Sequence, residues 1–128
     1  MPQKSKPIVT RIVVNLERQV LLAYENNREV YEFHCVAGDK DNQTPRGDFG
    51  IYRKHRKYRS RKYNVQMDYA MFFYKGYAIH MAYFVGVMSF LKWGGIHYFG
   101  SHGCVRLSEE NARELFDHTP YRTHVKIV

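Results

Sequence analysis

No run of about 18 apolar residues occurs anywhere in the 128-residue chain, so no segment reads as a membrane-spanning helix. The opening "MPQKSKPIVT" lacks an apolar core and therefore does not read as a signal peptide. A cytoplasmic protein and a domain separated from its leader both fit that start. Cysteine is scarce: Cys35 and Cys104 allow one disulfide at most, which excludes a heavily stapled scaffold. Cys35 sits in "VYEFHCVAG", which alternates like a strand, and Cys104 sits beside a glycine in "SHGCVRL". Nothing pairs them, so both are expected free, with Cys35 a buried apolar filler. Internal repeats and linkers are also missing. The length suits one domain spanning 1–128, with 1–7 a flexible lead-in. A domain of this size buries roughly two thirds of its unfolded surface, so a real core is expected.

Acidic residues are few, 12 against 20 Lys and Arg, and the resulting charge of +8 is concentrated. "RKHRKYRSRK" (53–62) holds seven Lys or Arg and one His. It reads either as a solvated, self-repelling loop or hairpin, or as a patch for a polyanion such as nucleic acid or an anionic cell-wall polymer.

At 45% hydrophobic and 25% charged the chain is globular rather than disordered, and eleven Tyr with eight Phe favour strands. "IVTRIVVNLE" (8–17) and "QVLLAYEN" (19–26) read as two strands, and "ENNREVYEFHCVAG" adds a third after a turn at Asn26–Asn27. "GDKDNQTPRGDFG" (38–50) is turn chemistry throughout. "FGIYR" resumes a strand, and "YAMFFY" and "YAIHM" form a hairpin joined at Lys75–Gly76. "AYFVGVMSFLKWGGIHYFG" (82–100) reads as a short helix plus loop. Ser108 is a good N-cap, with Glu109 and Glu110 well placed against the helix dipole. The helix is expected to reach about Asp117; Pro120 stops it, and "THVKIV" closes as a strand. The expected architecture is mostly β, a sandwich or closed-barrel-like domain with one clear helix after Cys104.

Cys104 has three readings. As a core filler it is poorly placed, because Gly103 weakens a strand and a buried His102 needs a hydrogen-bond partner. As a metal ligand it would join His80, His97 and His102, but their spacing matches no paired zinc motif. As a nucleophile it needs a neighbouring base, since a free thiol is only a few per cent ionised at neutral pH. Gly103 would let backbone amides converge on one point, as an oxyanion site requires.

"SHGCVRL" (101–107), with His80 in the upstream "YAIHM", resembles the signature of the YkuD-type L,D-transpeptidases. "QTPRGDFGI" (43–51) is similar to that family's Thr-Pro-x-Gly-x-Phe turn, and "RIVVNLERQVLLAYENNREVYEFHCVAG" to its opening strands. The likeness runs from about residue 10 to 128. It implies a mostly-β catalytic domain of the cell envelope, periplasmic or in the outer wall, with no cofactor or metal. The family's cysteine attacks a peptidoglycan tetrapeptide stem, releases D-Ala and forms a thioester. An amine then takes the acyl group; with water as acceptor the enzyme is an L,D-carboxypeptidase.

Carried over by position, Cys104 is the nucleophile and His80 its base, oriented by the Met81 carbonyl. His102 lines the pocket beside the sulfur, and Ser101 before it binds substrate. The Gly103 and Cys104 amides form the oxyanion site. Arg106 holds the loop or a substrate carboxylate. Met81 stands where the family favours Gly or a small polar residue, and twenty residues separate His80 from Ser101, more than usual for the family. The gap predicts an insertion over 82–100, either aromatic packing or a substrate-gating lid, with Trp93 and Gly94–Gly95 as its mobile part. His97 is an alternative base, although seven residues from Cys104 it needs a tight return.

The same residues would serve a cross-linking enzyme, a carboxypeptidase, an enzyme joining protein to wall, or a secreted wall-attacking effector. Two rivals lie outside catalysis. One is a nucleic-acid-binding β domain that stacks bases on Tyr52, Tyr58 and Tyr63; it leaves "SHGCVRL" unexplained. The other is a silent wall-binding module, which has no reason to keep both Cys104 and His80. Under the family reading nucleic acid is not a partner.

Overall fold

The computed structural model describes residues 6–38, 43–61, 64–83 and 103–128. Eleven strands and one helix are present among them: β1 (Arg11–Asn15), β2 (Val20–Glu25), β3 (Arg28–His34), β4 (Gly47–Gly50), β5 (Arg53–His55), β6 (Arg59–Ser60), β7 (Val65–Gln66), β8 (Ala70–Tyr74), β9 (Tyr77–Met81), β10 (Val105–Leu107), α1 (Glu109–His118) and β11 (His124–Ile127). None of the described helices is long and apolar enough to cross a membrane.

The strands form two open sheets, ordered β3-β2-β1-β11-β4 and β10-β9-β8-β5, with β6-β7 as a small separate ribbon. Neighbours pair antiparallel except β1 with β11 and β9 with β10. The chain passes between the sheets at both edges. Beyond β3, Val36 exchanges both backbone hydrogen bonds with Arg106 at 2.9 Å. Beyond β4, the amide of Ile51 bonds the Thr123 carbonyl and that of Tyr52 the Phe72 carbonyl. These crossings satisfy backbone groups that an edge would leave bare. Mostly β with one helix after Cys104 is thus the observed architecture.

Local sequence explains the elements. In β1 and β2 every second residue is buried (Ile12, Val14, Leu21, Ala23), the period-2 signature of a half-covered sheet. Burial of side chains such as Ile12 and Leu21 contributes about 1.5–3 kcal/mol each. In β8 four consecutive residues, Ala70 to Phe73, are buried, so this sheet is covered on both faces. Asn26 takes φ 56° in the β2–β3 turn and Lys75 φ 47° between β8 and β9, at the two expected hairpins. The turn expected over 38–50 is shorter than its composition suggests. Strand β4 starts at Gly47, whose φ of 138° only glycine adopts readily, and pairs antiparallel with β11.

Ser108 follows β10 directly and caps α1 by accepting a hydrogen bond from the Asn111 amide. The helix runs one residue past Asp117 and buries Ala112, Leu115 and Phe116 in the main core. Its far end is tied down by the basic run. Lys54 Nζ donates to the carbonyls of Phe116 (2.8 Å) and Thr119 (2.6 Å), and Arg56 pairs with Asp117 at 2.9 Å. A cation there satisfies orphan carbonyls at the negative end of the dipole.

Candidate active site

The parallel pair β9–β10 sets the geometry. Val105 registers with Ile79, Arg106 with His80 and Leu107 with Met81. One step further back, Cys104 stands opposite Ala78. Paired residues point to the same side and successive residues to opposite sides. Ala78, His80, Cys104 and Arg106 therefore share one face, and Ile79, Met81, Val105 and Leu107 the other. Packing agrees: the second set lies in the main core, while Cys104 and Ala78 join Met67, Ala70 and Phe72 in a separate apolar cluster roofed by Tyr58. His80 and Cys104 are diagonal neighbours, with Cα atoms about 8 Å apart from standard strand spacings. Their side chains rise from the same surface.

His80 is 2% exposed. Its Nδ1 lies 2.6 Å from the Met81 carbonyl, which can only accept, so Nδ1 carries the proton and Nε2 the lone pair. Met81 itself is held by its amide donating to the Asp68 carbonyl at 2.8 Å. The interaction uses backbone alone, which is why a methionine serves here. Burial lowers the imidazole pKa from 6.5 to about 4; the Arg106 charge lowers it too, against opposing contributions from the Met81 carbonyl and Asp68.

The Cys104 thiol is raised above its ordinary 9.0, chiefly by burial, with the Ala78 backbone amide and the Arg106 charge pulling the other way. Its sulfur lies 3.8 Å from the Gly76 carbonyl. These directions leave both the Cys104 thiol and the His80 imidazole uncharged at neutral pH. Arg106, itself buried, brings the positive charge that favours thiolate and disfavours imidazolium.

The backbone before the sulfur is equally constrained. Gly103 has φ 97°, and a Cβ placed there would meet the Tyr77 ring at 2.1 Å. Only glycine fits. The Thr44 hydroxyl donates to the Gly103 carbonyl at 2.7 Å and accepts from the Gly38 amide at 3.0 Å. Sequence reasoning read Thr44 only as part of a turn and missed Tyr77; a threonine before Pro45, in a segment otherwise rich in exposed turn residues, was the available signal.

The structure thus brings Cys104, His80, Gly103, Met81 and Arg106 together. Ser101, His102, His97, Trp93 and Gly94–Gly95 lie outside the described residues, as does the expected insertion beyond Tyr83. Among its described residues the basic run forms strands β5 and β6 rather than one loop, with β6 pairing antiparallel to β7 as the hairpin alternative expects, and it is not uniformly free. Lys54 and Arg56 serve α1, the Arg53 guanidinium lies 4.1 Å from the Phe72 ring centroid, and Arg59 bonds Asn64 and Gln66. Tyr58 stacks on His55 and meets Phe72 edge-on, and the Tyr52 hydroxyl donates to the Lys75 carbonyl. Two of the three tyrosines offered as base-stacking platforms are therefore engaged within the fold; Tyr63 lies outside the described residues.

A buried thiol, a nitrogen base of fixed tautomer and a rigid glycine amide are the components of cysteine acyl transfer. Comparison with known proteins bears on this. The family model described as the YkuD L,D-transpeptidase catalytic domain matches residues 9–127. An L,D-transpeptidase from Stackebrandtia nassauensis superposes with TM-score 0.80 at 24% identity, over 98% of this chain and 58% of that one. One from Xylanimonas cellulosilytica gives 0.77 at 26%, over 100% and 64%. An LD transpeptidase solved in complex with imipenem gives 0.77 at 23%, over 91% and 57%. This chain spans less than two thirds of each of these structures. Comparison with curated proteins finds no match.

Proposed function

The chain belongs to the YkuD family of L,D-transpeptidase catalytic domains, and from that premise we propose that it is a peptidoglycan L,D-transpeptidase working through a thioester on Cys104. The observation that carries the proposal is the shared face of β9 and β10, from which a neutral His80 and the Cys104 thiol rise as diagonal neighbours.

In the proposed cycle, His80 Nε2 takes the thiol proton as the sulfur attacks the carbonyl preceding the terminal D-Ala of a tetrapeptide stem. The Gly103 and Cys104 amides receive the oxyanion, and Arg106 stabilises the thiolate. The carbon–nitrogen bond breaks and the His80 imidazolium returns its proton to the departing D-Ala amine. A second stem's amine then attacks the thioester and gives its proton to His80, the carbon–sulfur bond breaks, and the imidazolium returns the proton to the departing sulfur. Burial keeps His80 neutral at rest, with its lone pair on Nε2. His102 and Ser101 are assigned to the pocket beside the sulfur. The whole described chain serves as a single catalytic domain, working in the cell envelope.

The test is incubation with disaccharide-tetrapeptide, reading product masses. A cross-linked dimer with loss of D-Ala supports transpeptidation. D-Ala loss with water added assigns carboxypeptidase activity instead. An intact stem, or unchanged turnover in Cys104→Ala, removes the proposal.

A further inference from the structure

We propose that Thr44 is a positioning residue for the oxyanion-binding amide of Cys104, acting through the Gly103 carbonyl. The inference rests on the acyl-transfer reading of Cys104 and extends it to a residue far away in sequence.

Thr44 is 1% exposed, and its hydroxyl is used in both directions. It donates to the Gly103 carbonyl at 2.7 Å and accepts from the Gly38 amide at 3.0 Å. The Gly103 carbonyl and the Cys104 N–H belong to one planar peptide unit, and the described residues hold no cis peptide bonds. In a trans peptide these two groups point in opposite directions. Pinning the oxygen on the Thr44 side therefore fixes where the Cys104 N–H is aimed. The bond acts on strength as well as direction, because an amide whose carbonyl accepts a hydrogen bond is polarised and becomes a better N–H donor.

Gly103 makes such an external clamp necessary. At φ 97° it occupies a conformation that the backbone does not hold by itself, and glycine resists rotation less than any other residue. Two contacts oppose rotation: the Tyr77 ring packs where a Cβ would be, and Thr44 grips the carbonyl. Tyr77 fixes the Cα side and Thr44 the peptide plane. Oxyanion donors must be in place before charge develops if they are to lower the barrier, so a loosely held Gly103–Cys104 plane would lose rate rather than affinity. Pro45 adds a reason for the position, since it restricts the backbone of Thr44 to extended conformations.

The alternative is that Thr44 merely ties the 38–44 turn to the 103 segment. The two roles differ in which chemistry of Cys104 they affect. Acylation by an activated aryl ester such as p-nitrophenyl acetate passes through an oxyanion; alkylation by iodoacetamide displaces iodide from carbon and does not. Both need the same sulfur and the same access. The experiment measures both rates at Cys104, by intact mass with peptide mapping, in the wild type, Thr44→Val, Thr44→Ala and Thr44→Ser at 10 °C.

Thr44→Val and Thr44→Ala are expected to slow acylation about 10- to 100-fold, less than the roughly 100- to 1000-fold for removing an oxyanion donor outright, with alkylation within about 2-fold of wild type. Thr44→Ser restores acylation because it keeps the hydroxyl. On stem peptide the loss falls in kcat and not in KM, and the acid limb set by His80 does not move. Equal loss of acylation and alkylation would assign Thr44 a purely structural role and overturn the inference. Acylation of Thr44→Val at the wild-type rate would overturn it alone, leaving the function in place. A wild-type Cys104 that is never acylated would remove the function and this inference together.

Discussion

Replacing His80 with glutamine tests whether its imidazole is held neutral by burial. The folded pKa is about 4 against an ordinary 6.5, with desolvation as the largest cause. Above pH 6.5 both folded and unfolded states carry a neutral ring, and the group contributes nothing to pH dependence. Between 6.5 and about 4 the unfolded chain binds a proton that the folded site refuses. Unfolding is therefore favoured as pH falls, and stability drops by about 1.4 kcal/mol per pH unit across this window. The window is about 2.5 pH units wide, so the loss is about 3 kcal/mol, a large fraction of a domain's net stability. Below about pH 4 the folded site protonates as well and the slope ends. The assay is urea unfolding of wild type and His80→Gln from pH 8 to pH 3.5, taken as a difference so that other carboxylates and histidines cancel. The wild-type curve should lie parallel to that of the variant above pH 6.5 and fall away from it by about 3 kcal/mol by pH 4. A difference that stays flat would mean that the ring titrates alike in the folded and unfolded states, and one that rises as pH falls would mean that the fold favours the charged ring; either would remove a base held neutral by burial. On the proposed reading turnover is flat through this window and falls only below about pH 4, where His80 in the fold protonates.

Four other outcomes follow from named contacts. In folded protein, iodoacetamide or a carbapenem should modify Cys104 and spare the fully buried Cys35, as read by peptide mapping; preferential modification of Cys35 would count against the site. Gly103→Ala should destabilise by about 2 kcal/mol or more in urea unfolding, from positive-φ strain plus the Tyr77 clash, and Tyr77→Ala should relieve only the clash. Lys54→Met removes two hydrogen bonds from the end of α1 and should cost about 1–3 kcal/mol in thermal or urea unfolding; no measurable change would mean that water replaces the cation without loss. Changing Arg53, Arg59 and Arg61 to Gln together should impair turnover on intact sacculi more than on a soluble stem peptide, if the basic run also holds anionic wall polymer. Equal loss on both substrates would confine these side chains to their contacts inside the domain.

The elements legible in the sequence are those whose cause is local. Alternation in "RIVVN" and "VLLAYE" marks β1 and β2 because the strand period is 2 whatever the partner. Asn26 and Lys75–Gly76 mark the hairpins because their turns require left-handed φ, and Ser108 and Pro120 bracket α1 because capping and the missing proline amide act within a turn. The pairing of Cys104 with His80 was legible only as a motif, through residue types and their order.

Other features depend on contacts between residues distant in sequence, which no local pattern specifies. Strand β11 slides between β1 and β4 and runs parallel to β1, although "THVKIV" would suit an edge equally well. The last four residues of the expected turn over 38–50 are recruited into the sheet once β11 offers them a partner. Lys54 and Arg56 read as parts of a charge cluster until the fold carries them to the helix end. By itself the sequence determined the strand periodicities, the turns, the caps and the candidate site residues, because these depend on side-chain type and spacing. Only the tertiary structure decided that parallel pairing of β9 with β10 sets His80 diagonal to Cys104, and that Thr44 reaches Gly103 across 59 positions. Strand register and side-chain reach are properties of the assembled chain, and they arise only when burial brings those segments together.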